Sequence, residues 1–254
     1  MNSPTPQIDA YTKCDFAGPV GKARRSFPVY MRGRGPSVVI MQELPGTGQQ
    51  VRRFADALVR AGFQVWLPHM YGTAGRTTTV RNAARILFCM RREFQMFSRH
   101  QSSAIVDWLR ALCSHVKRET NAKGVGVVGM CLSGNFALTL IADDAVLAAV
   151  ASQPSLPRDQ NTLHMSAVEI AASRTAIDAK GPIRAYRFEG DALCSAARFA
   201  AIDRAFNDDA RRVVLNVMPG PGHAVLTIHF VDDVIGPTAT ALREVIDYFG
   251  RRLR

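Results

Sequence analysis

Long apolar runs are missing from this chain of 254 residues. The longest run, residues 145–151, is far shorter than the roughly 20 residues that a helix needs to cross a bilayer. No apolar stretch follows a basic start within residues 1–27, so we expect no secretory signal peptide. These absences predict a cytoplasmic protein that makes no membrane contact.

Paired cysteines are also lacking. The chain has five cysteines, an odd number, and none of them stands in a C-x-x-C spacing. In a chain without a signal peptide this favours reduced thiols over a disulfide framework, and it argues against a structural zinc site. The histidines show no H-E-x-x-H spacing either. We therefore expect neither a metal nor an organic cofactor.

Acidic residues are scarce relative to basic ones. Lysine and arginine number 32 against 21 aspartates and glutamates, which gives a formal net charge of +11. Such a surplus can attract nucleic acids, anionic membranes or negatively charged substrates, the first two when it is clustered. Here the arginine pairs are scattered over several predicted elements, and no nucleic-acid-binding motif accompanies them. We expect a solvated surface and no nucleic-acid partner; a basic surface-binding protein is an alternative that the salt dependence of heparin or DNA binding would test.

The order of predicted elements indicates an α/β protein. Strands are predicted at 26–32, 36–42, 63–67, 124–128, 146–152, 182–188 and 212–217, and helices at 50–61, 80–97, 103–116, 134–141, 165–176, 195–206 and 238–249, the last ending at Gly250. This alternation predicts a mostly parallel central sheet with helices on both faces and active groups at the carboxyl ends of the strands. The first two strands, with a turn at 33–35, predict a hairpin.

The length and composition favour a single domain over residues 1–254. Hydrophobic residues make up 47% and charged residues 21% of the chain, the balance of an ordinary globular protein. Within this domain we expect a loosely structured extension at 1–25. Residues 72–100 are expected to form a cap or one wall of the functional site.

The segment around Cys131 carries the most informative motif. An apolar strand runs into Cys131, which has the small residues Gly129 and Ser133 on either side, and a helix follows. This pattern is typical of a nucleophile elbow, whose tight turn requires small residues two positions from the nucleophile. The helix N-terminus favours thiolate over thiol, and the N–H of Leu132 would face the oxyanion formed in acyl transfer. A buried structural cysteine at a strand–helix junction is the alternative.

A candidate acid and a candidate base follow the elbow in the chain. Asp191 comes after a predicted strand and a glycine, and His223 lies in a glycine-rich loop after the next strand. A thiol nucleophile needs a general base and a carboxylate that orients it, and the order Cys, Asp, His is that of α/β-hydrolases. Taken singly, the aspartate suits an ordinary turn and the histidine an ordinary surface position. Together they predict a catalytic triad on an α/β-hydrolase fold.

With these motifs the chain resembles the dienelactone hydrolase family from about residue 36 to residue 249. The resemblance rests on four motifs in order, namely Gln42-Glu43-Leu44-Pro45-Gly46, Gly129-Met130-Cys131-Leu132-Ser133-Gly134, Gly190-Asp191 and Gly222-His223. It implies that Glu43 lies beside Cys131 and helps to draw off the thiol proton when substrate binds. It also implies that the N–H groups of Leu44 and Leu132 form the oxyanion hole. A carboxylate on a surface loop is the alternative for Glu43.

Two positions depart from the family pattern. Ser133 stands where the family elbow commonly has glycine, and we expect the turn to tolerate this small residue. Thr227 stands four residues after His223, where dienelactone-specific members carry an arginine that pairs with the substrate carboxylate. The dienelactone substrate therefore does not follow from the resemblance. Other arginines could supply a cation, among them Arg76, Arg81, Arg91 and Arg92.

The function that we expect is two-step hydrolysis of a small-molecule ester or lactone through a thioester on Cys131. A broad carboxylesterase or thioesterase acting on small acyl substrates would use the same residues. A non-catalytic α/β-hydrolase-fold binding protein is the alternative from another class. We expect a monomer or a small homo-oligomer.

Overall fold

The computed structural model describes residues 7–44, 46–76 and 102–254. Within these ranges eight strands form one mixed sheet in the order β1-β2-β4-β3-β5-β6-β7-β8. The strands are β1 (Thr12–Val20), β2 (Ala23–Arg32), β3 (Ser37–Ile40), β4 (Gln64–Pro68), β5 (Val125–Met130), β6 (Val146–Ser152), β7 (Ile183–Phe188) and β8 (Val213–Met218). The helices are α1 (Gln49–Arg60), α2 (Ile105–Glu119), α3 (Gly134–Leu140), α4 (Ala167–Lys180), α5 (Ala196–Phe206) and α6 (Pro237–Leu253).

The sheet is parallel from β4 to β8, and only the pairings of β2 with β1 and β4 are antiparallel among the described strands. Every residue of β3 and β5 is buried. Their short, almost wholly apolar sequences are those of central parallel strands covered on both faces. The predicted α/β-hydrolase architecture is therefore confirmed.

Helices cover both faces of the sheet. Phe54 of α1 and Phe249 of α6 belong to one buried cluster, whereas Trp108 of α2, Phe136 of α3 and Phe199 of α5 belong to another. The two clusters use alternate side chains of the same strands, as the two-residue period of a strand requires. Across the described ranges, no helix has the length and apolar character needed to span a membrane.

The expectation of a loosely structured extension at 1–25 is wrong for the residues that follow Tyr11. β1 and β2 pair as a hairpin in which Thr12 lies opposite Met31 and Val20 lies opposite Ala23. The ring of Trp108 on α2 meets the rings of Phe16 and Phe27 edge to face, at centroid distances of 5.4 and 5.2 Å. This packing against α2 orders a segment whose polar sequence gave little sign of it.

The predicted hairpin between residues 26–32 and 36–42 is also wrong. β4 inserts between β2 and β3, so that Val29 lies opposite Pro68 in an antiparallel ladder and Val38 lies opposite Val65 in a parallel one. Gly33 has a φ of +87° and passes so close to the start of β4 that a Cβ there would lie 2.4 Å from the carbonyl oxygen of Phe63. The glycines of 33–35 therefore make room for another strand instead of closing a tight hairpin.

The last helix continues past Gly250, where the sequence predicted its end, and reaches Leu253. Arg252 donates a hydrogen bond to the carbonyl of Lys180, and Arg254 donates one of 2.8 Å to the carbonyl of Ala61. These tertiary contacts hold the final turn. The predicted helix at 80–97 and nearly all of the expected cap at 72–100 lie outside the described residues.

Candidate active site

Cys131 stands at a sharp turn between β5 and α3. Its φ is +55°, a value that is rare for residues other than glycine and typical of strained functional positions. A Cβ on Gly129 would lie 2.2 Å from the carbonyl oxygen of Ser133, and one on Gly134 would lie 2.6 Å from the Cα of Pro154. The backbone of the turn therefore requires Gly129, as predicted for an elbow, and it also requires Gly134.

Ser133 fits the elbow without the glycine that the family commonly has there. Its φ is −88°, which any L-residue adopts. Its hydroxyl accepts a 2.9 Å hydrogen bond from the N–H of Met130 and lies 3.0 Å from the carbonyl oxygen of Met130 and 3.4 Å from that of Met41. The side chain thus ties the turn to β5 and to the end of β3.

The candidate acid and base meet at the carboxyl ends of β7 and β8. Asp191 is 4% exposed, and its Oδ2 and Oδ1 lie 2.8 and 3.0 Å from Nδ1 of His223. Oδ1 also accepts hydrogen bonds from the N–H groups of Leu193 at 2.8 Å and Cys194 at 3.0 Å. The carboxylate is therefore fixed in place and directs the protonated Nδ1 of the imidazole.

His223 links this carboxylate to Cys131. Burial by itself would lower the pKa of His223, but hydrogen bonds to Asp191 and Cys131 and the negative charges of both raise this pKa to about 10. Nδ1 of His223 faces Asp191, so Nε2 is the ring nitrogen that can contact the sulfur of Cys131. The imidazole ring is therefore held protonated between the Asp191 carboxylate and the sulfur at neutral pH.

Glu43 lies at the same end of the sheet. β3 and β5 are parallel neighbours, and the N–H of Met41 donates a 2.8 Å hydrogen bond to the carbonyl of Val128. The Glu43 side chain is 1% exposed, so it is not the carboxylate of a surface loop. Burial raises the pKa of Glu43, and the Thr227 hydroxyl and the charge of His223 act in the opposite direction. A carboxylate held this way is easily protonated.

Leu44 and Leu132 follow these two strands. Ile40 lies opposite Val128 in the register of β3 and β5, so the chain segments that contain Leu44 and Leu132 leave the sheet side by side. Leu132 is buried, and Leu44 is half-buried against the same apolar cluster as Cys131. Both residues therefore lie at the carboxyl ends of adjacent strands, at the same end of the sheet as Cys131.

A model of the dienelactone hydrolase family matches residues 25–253. The chain belongs to this family. It is accordingly a hydrolase that acts on ester bonds. No curated protein gives a significant sequence match.

Solved structures of family-like proteins share the fold at low sequence identity. A dienelactone hydrolase from Anabaena variabilis is 16% identical with a TM-score of 0.61, covering 96% of this chain and 100% of that one. A cold-adapted esterase from an Arctic intertidal metagenomic library is 15% identical with a TM-score of 0.62, covering 96% and 95%. A dienelactone hydrolase-like promiscuous phosphotriesterase from metagenomic libraries is 16% identical with a TM-score of 0.64, covering 96% and 100%.

In this member of the dienelactone hydrolase family, Thr227 is fully buried. Its hydroxyl lies beside the Glu43 carboxyl and has no hydrogen-bond partner at normal distance among the described residues. The side chain cannot pair with a substrate carboxylate as a cation would. Of the arginines considered as substitutes, Arg81, Arg91 and Arg92 lie outside the described residues.

Three residues at the site were missed by the sequence reasoning. The Tyr71 hydroxyl donates a 3.1 Å hydrogen bond to the carbonyl of Gln42, and burial, together with the charges of Cys131 and Glu43, raises the pKa of Tyr71 well above its usual value. The Ser155 hydroxyl lies 3.5 Å from Nε2 of His223. Tyr71 and Ser155 each come three residues after a strand. Active groups of α/β proteins gather at the carboxyl ends of the parallel strands, so these two positions could have been predicted from the sequence. The third, His229, had no such signal.

The other described cysteines have different surroundings. Burial raises the pKa of the thiols of Cys113 and Cys194, which favours their protonated form. Cys14 is half-buried on β1, at the opposite edge of the sheet from β8. Within the part of the chain that the structure describes, no group of three or more histidine, cysteine or acidic residues is arranged to hold a metal ion.

Proposed function

We propose that this family member hydrolyses small neutral carboxylic esters or lactones through a Cys131–His223–Asp191 triad and a thioester intermediate. The observation that carries the proposal is the contact chain from the fixed Asp191 carboxylate through His223 to a cysteine at a strained elbow. This is the arrangement that activates a thiol for acyl transfer.

The reaction proceeds in two balanced steps. The Cys131 thiolate attacks the carbonyl carbon, the alkoxide leaves with the proton of His223, and a thioester remains. His223 then takes a proton from water, the resulting hydroxide attacks the thioester, and the acid leaves as Cys131 regains its thiolate. The N–H groups of Leu44 and Leu132 stabilise the oxyanion in both steps.

Glu43 assists the nucleophile in this scheme. A buried carboxylate with a raised pKa takes up a proton readily, so Glu43 serves as the acceptor for the thiol proton when substrate displaces water from the site. The charge of His223 faces the same carboxyl. Loss of this acceptor should leave the triad in place and slow the formation of the thiolate.

We expect Glu43→Gln to lower kcat by about 100-fold, the lower end of the usual contribution of an acid–base group. Glutamine has the same shape but cannot accept the proton. The measurement is kcat for p-nitrophenyl acetate together with the rate at which iodoacetamide alkylates Cys131. Glu119→Gln is the matched control, because that carboxylate is 59% exposed on α2. Equal rates for wild type, Glu43→Gln and Glu119→Gln would contradict the role of Glu43.

The substrate class is tested with a panel that contains p-nitrophenyl acetate, a dienelactone, a small thioester and a phosphotriester. The buried Thr227 offers no cation to a substrate carboxylate, so we expect the neutral ester to be hydrolysed with a higher kcat/KM than the anionic dienelactone. The thioester tests the thioesterase alternative. The phosphotriester tests for the phosphotriesterase activity by which one of the similar solved structures is described. A clear preference for dienelactone would refute the neutral-ester proposal, and no turnover of any compound would favour a binding protein.

A further inference from the structure

His229 is bonded to the backbone that carries the candidate base. Its Nδ1 accepts hydrogen bonds from the N–H of His223 at 3.2 Å and from the N–H of Ala224 at 3.1 Å. A ring nitrogen accepts only through its lone pair, so both contacts require the tautomer of His229 that has its proton on Nε2. One exposed side chain thus fixes two consecutive peptide groups at His223.

The remainder of this loop is anchored elsewhere. Near its start the carbonyl of Gly220 accepts a 3.1 Å hydrogen bond from Gly190. At its far end Arg53 of α1 donates a 2.8 Å hydrogen bond to the carbonyl of Thr227 and stacks on the ring of Phe230 at 4.1 Å. Neither anchor reaches the peptide groups on the two sides of the His223 Cα. His229 supplies the side-chain contact at that point.

We propose that His229 is a positioning residue for His223. By holding the N–H groups of His223 and Ala224, it sets the direction of the His223 Cα–Cβ bond and so keeps Nε2 aimed at Cys131. The inference rests on the proposed role of His223 as the base. Small errors in the placement of a catalytic group lower the rate strongly, because the reacting atoms must meet within hydrogen-bond reach.

A purely structural role is the competing explanation. The His229 ring meets the ring of Phe188 edge to face at 6.2 Å, a contact that any aromatic residue would keep. The two explanations differ in whether the acceptor at the δ position matters. Asparagine places an amide oxygen near the position of Nδ1, phenylalanine keeps the ring without an acceptor, and glutamine moves the acceptor one bond further out.

The test compares His229→Asn, His229→Phe and His229→Gln with wild type for kcat and KM on the best ester of the panel. We expect His229→Asn to stay within about 3-fold of wild type, whereas His229→Phe and His229→Gln lose about 10-fold in kcat with little change in KM, as loss of hydrogen bonds at a catalytic group predicts. Circular dichroism checks the fold, and if His229→Phe does not fold, the asparagine–glutamine pair decides. Equal kcat for asparagine and glutamine would overturn the proposal.

A second readout separates this inference from the proposed function. The alkylation rate of Cys131 by iodoacetamide, followed by mass spectrometry, needs no substrate and depends on the nearness of His223 to the sulfur. If no ester is hydrolysed but alkylation remains high in His229→Asn and falls in His229→Phe and His229→Gln, the proposed function fails and the positioning role stands. If esters are hydrolysed through Cys131 and the alkylation rates of all variants agree, the positioning role fails alone.

Discussion

Cys131→Ala is expected to lower kcat for ester hydrolysis by about ten-thousand-fold or more, the scale at which loss of a nucleophile is felt in covalent catalysis. In the proposed mechanism the half-buried thiol is the attacking group, and the remaining donors can only bind and polarise the substrate. Alanine keeps the Cβ and adds no bulk at the elbow, so the protein should still fold. Steady-state kinetics with p-nitrophenyl acetate and a thermal melt measure both effects.

Cys14→Ala is the matched control for this variant. Cys14 is also a half-buried free thiol, but it lies on β1 at the far edge of the sheet. We expect it to retain the wild-type rate, and we expect Cys194→Ala to do so as well. A similar loss in Cys131→Ala and Cys14→Ala would mean that the activity reports on folding and would remove the assignment of the nucleophile.

Asp191→Asn is expected to lower kcat by about a thousand-fold or more while leaving the loop in place. The asparagine amide donates hydrogen bonds, so it no longer fixes the proton of His223 on Nδ1. In the neutral ring Nε2 then carries the proton and cannot take one from water in the second step. Asp107→Asn is the control, since that carboxylate is 46% exposed in a surface pair with Arg110. Comparable rates for Asp191→Asn and wild type would contradict the triad.

The same variant should change how stability depends on pH. Because the pKa of His223 rises from its ordinary value near 6.5 to about 10 on folding, its stabilising effect is fully present below about pH 6.5 and is lost as the pH rises through 10. The side chain is 19% exposed, so solvent screens the pair only in part. We expect Asp191→Asn to cost on the order of 2 kcal/mol near pH 6 and much less near pH 11. Urea denaturation at both pH values measures this, and an equal cost at both would contradict it.

Much of the sheet could be predicted because its central strands are buried on both faces. β5 and β6 are almost wholly apolar and are bounded by turn residues, so the ends of both strands could be predicted to within two residues. The elbow could also be predicted, because its backbone leaves no room for a side chain at Gly129 or Gly134 and the sequence has glycine at both positions. Asp191 and His223 followed from chain order and from their places after consecutive strands.

The rest depends on contacts between residues far apart in the chain. The hairpin of β1 and β2 is ordered by Trp108, more than 75 residues away in the sequence, and the insertion of β4 depends on how Gly33 meets Phe63. His229 is a single exposed histidine in an irregular loop, and its contact with the backbone of His223 has no periodic or motif signal. Such features emerge only from the three-dimensional arrangement.

In the proposed mechanism the acyl group of the substrate passes through Cys131. The direct measurement is mass spectrometry of the protein after acid quenching during turnover of p-nitrophenyl acetate, followed by digestion. The thioester mechanism predicts one acetyl group on the peptide that contains Cys131, removable by hydroxylamine and missing in Cys131→Ala. An acyl group on Ser133, Ser155 or another residue, or continued turnover without any acyl-enzyme in either protein, would contradict it.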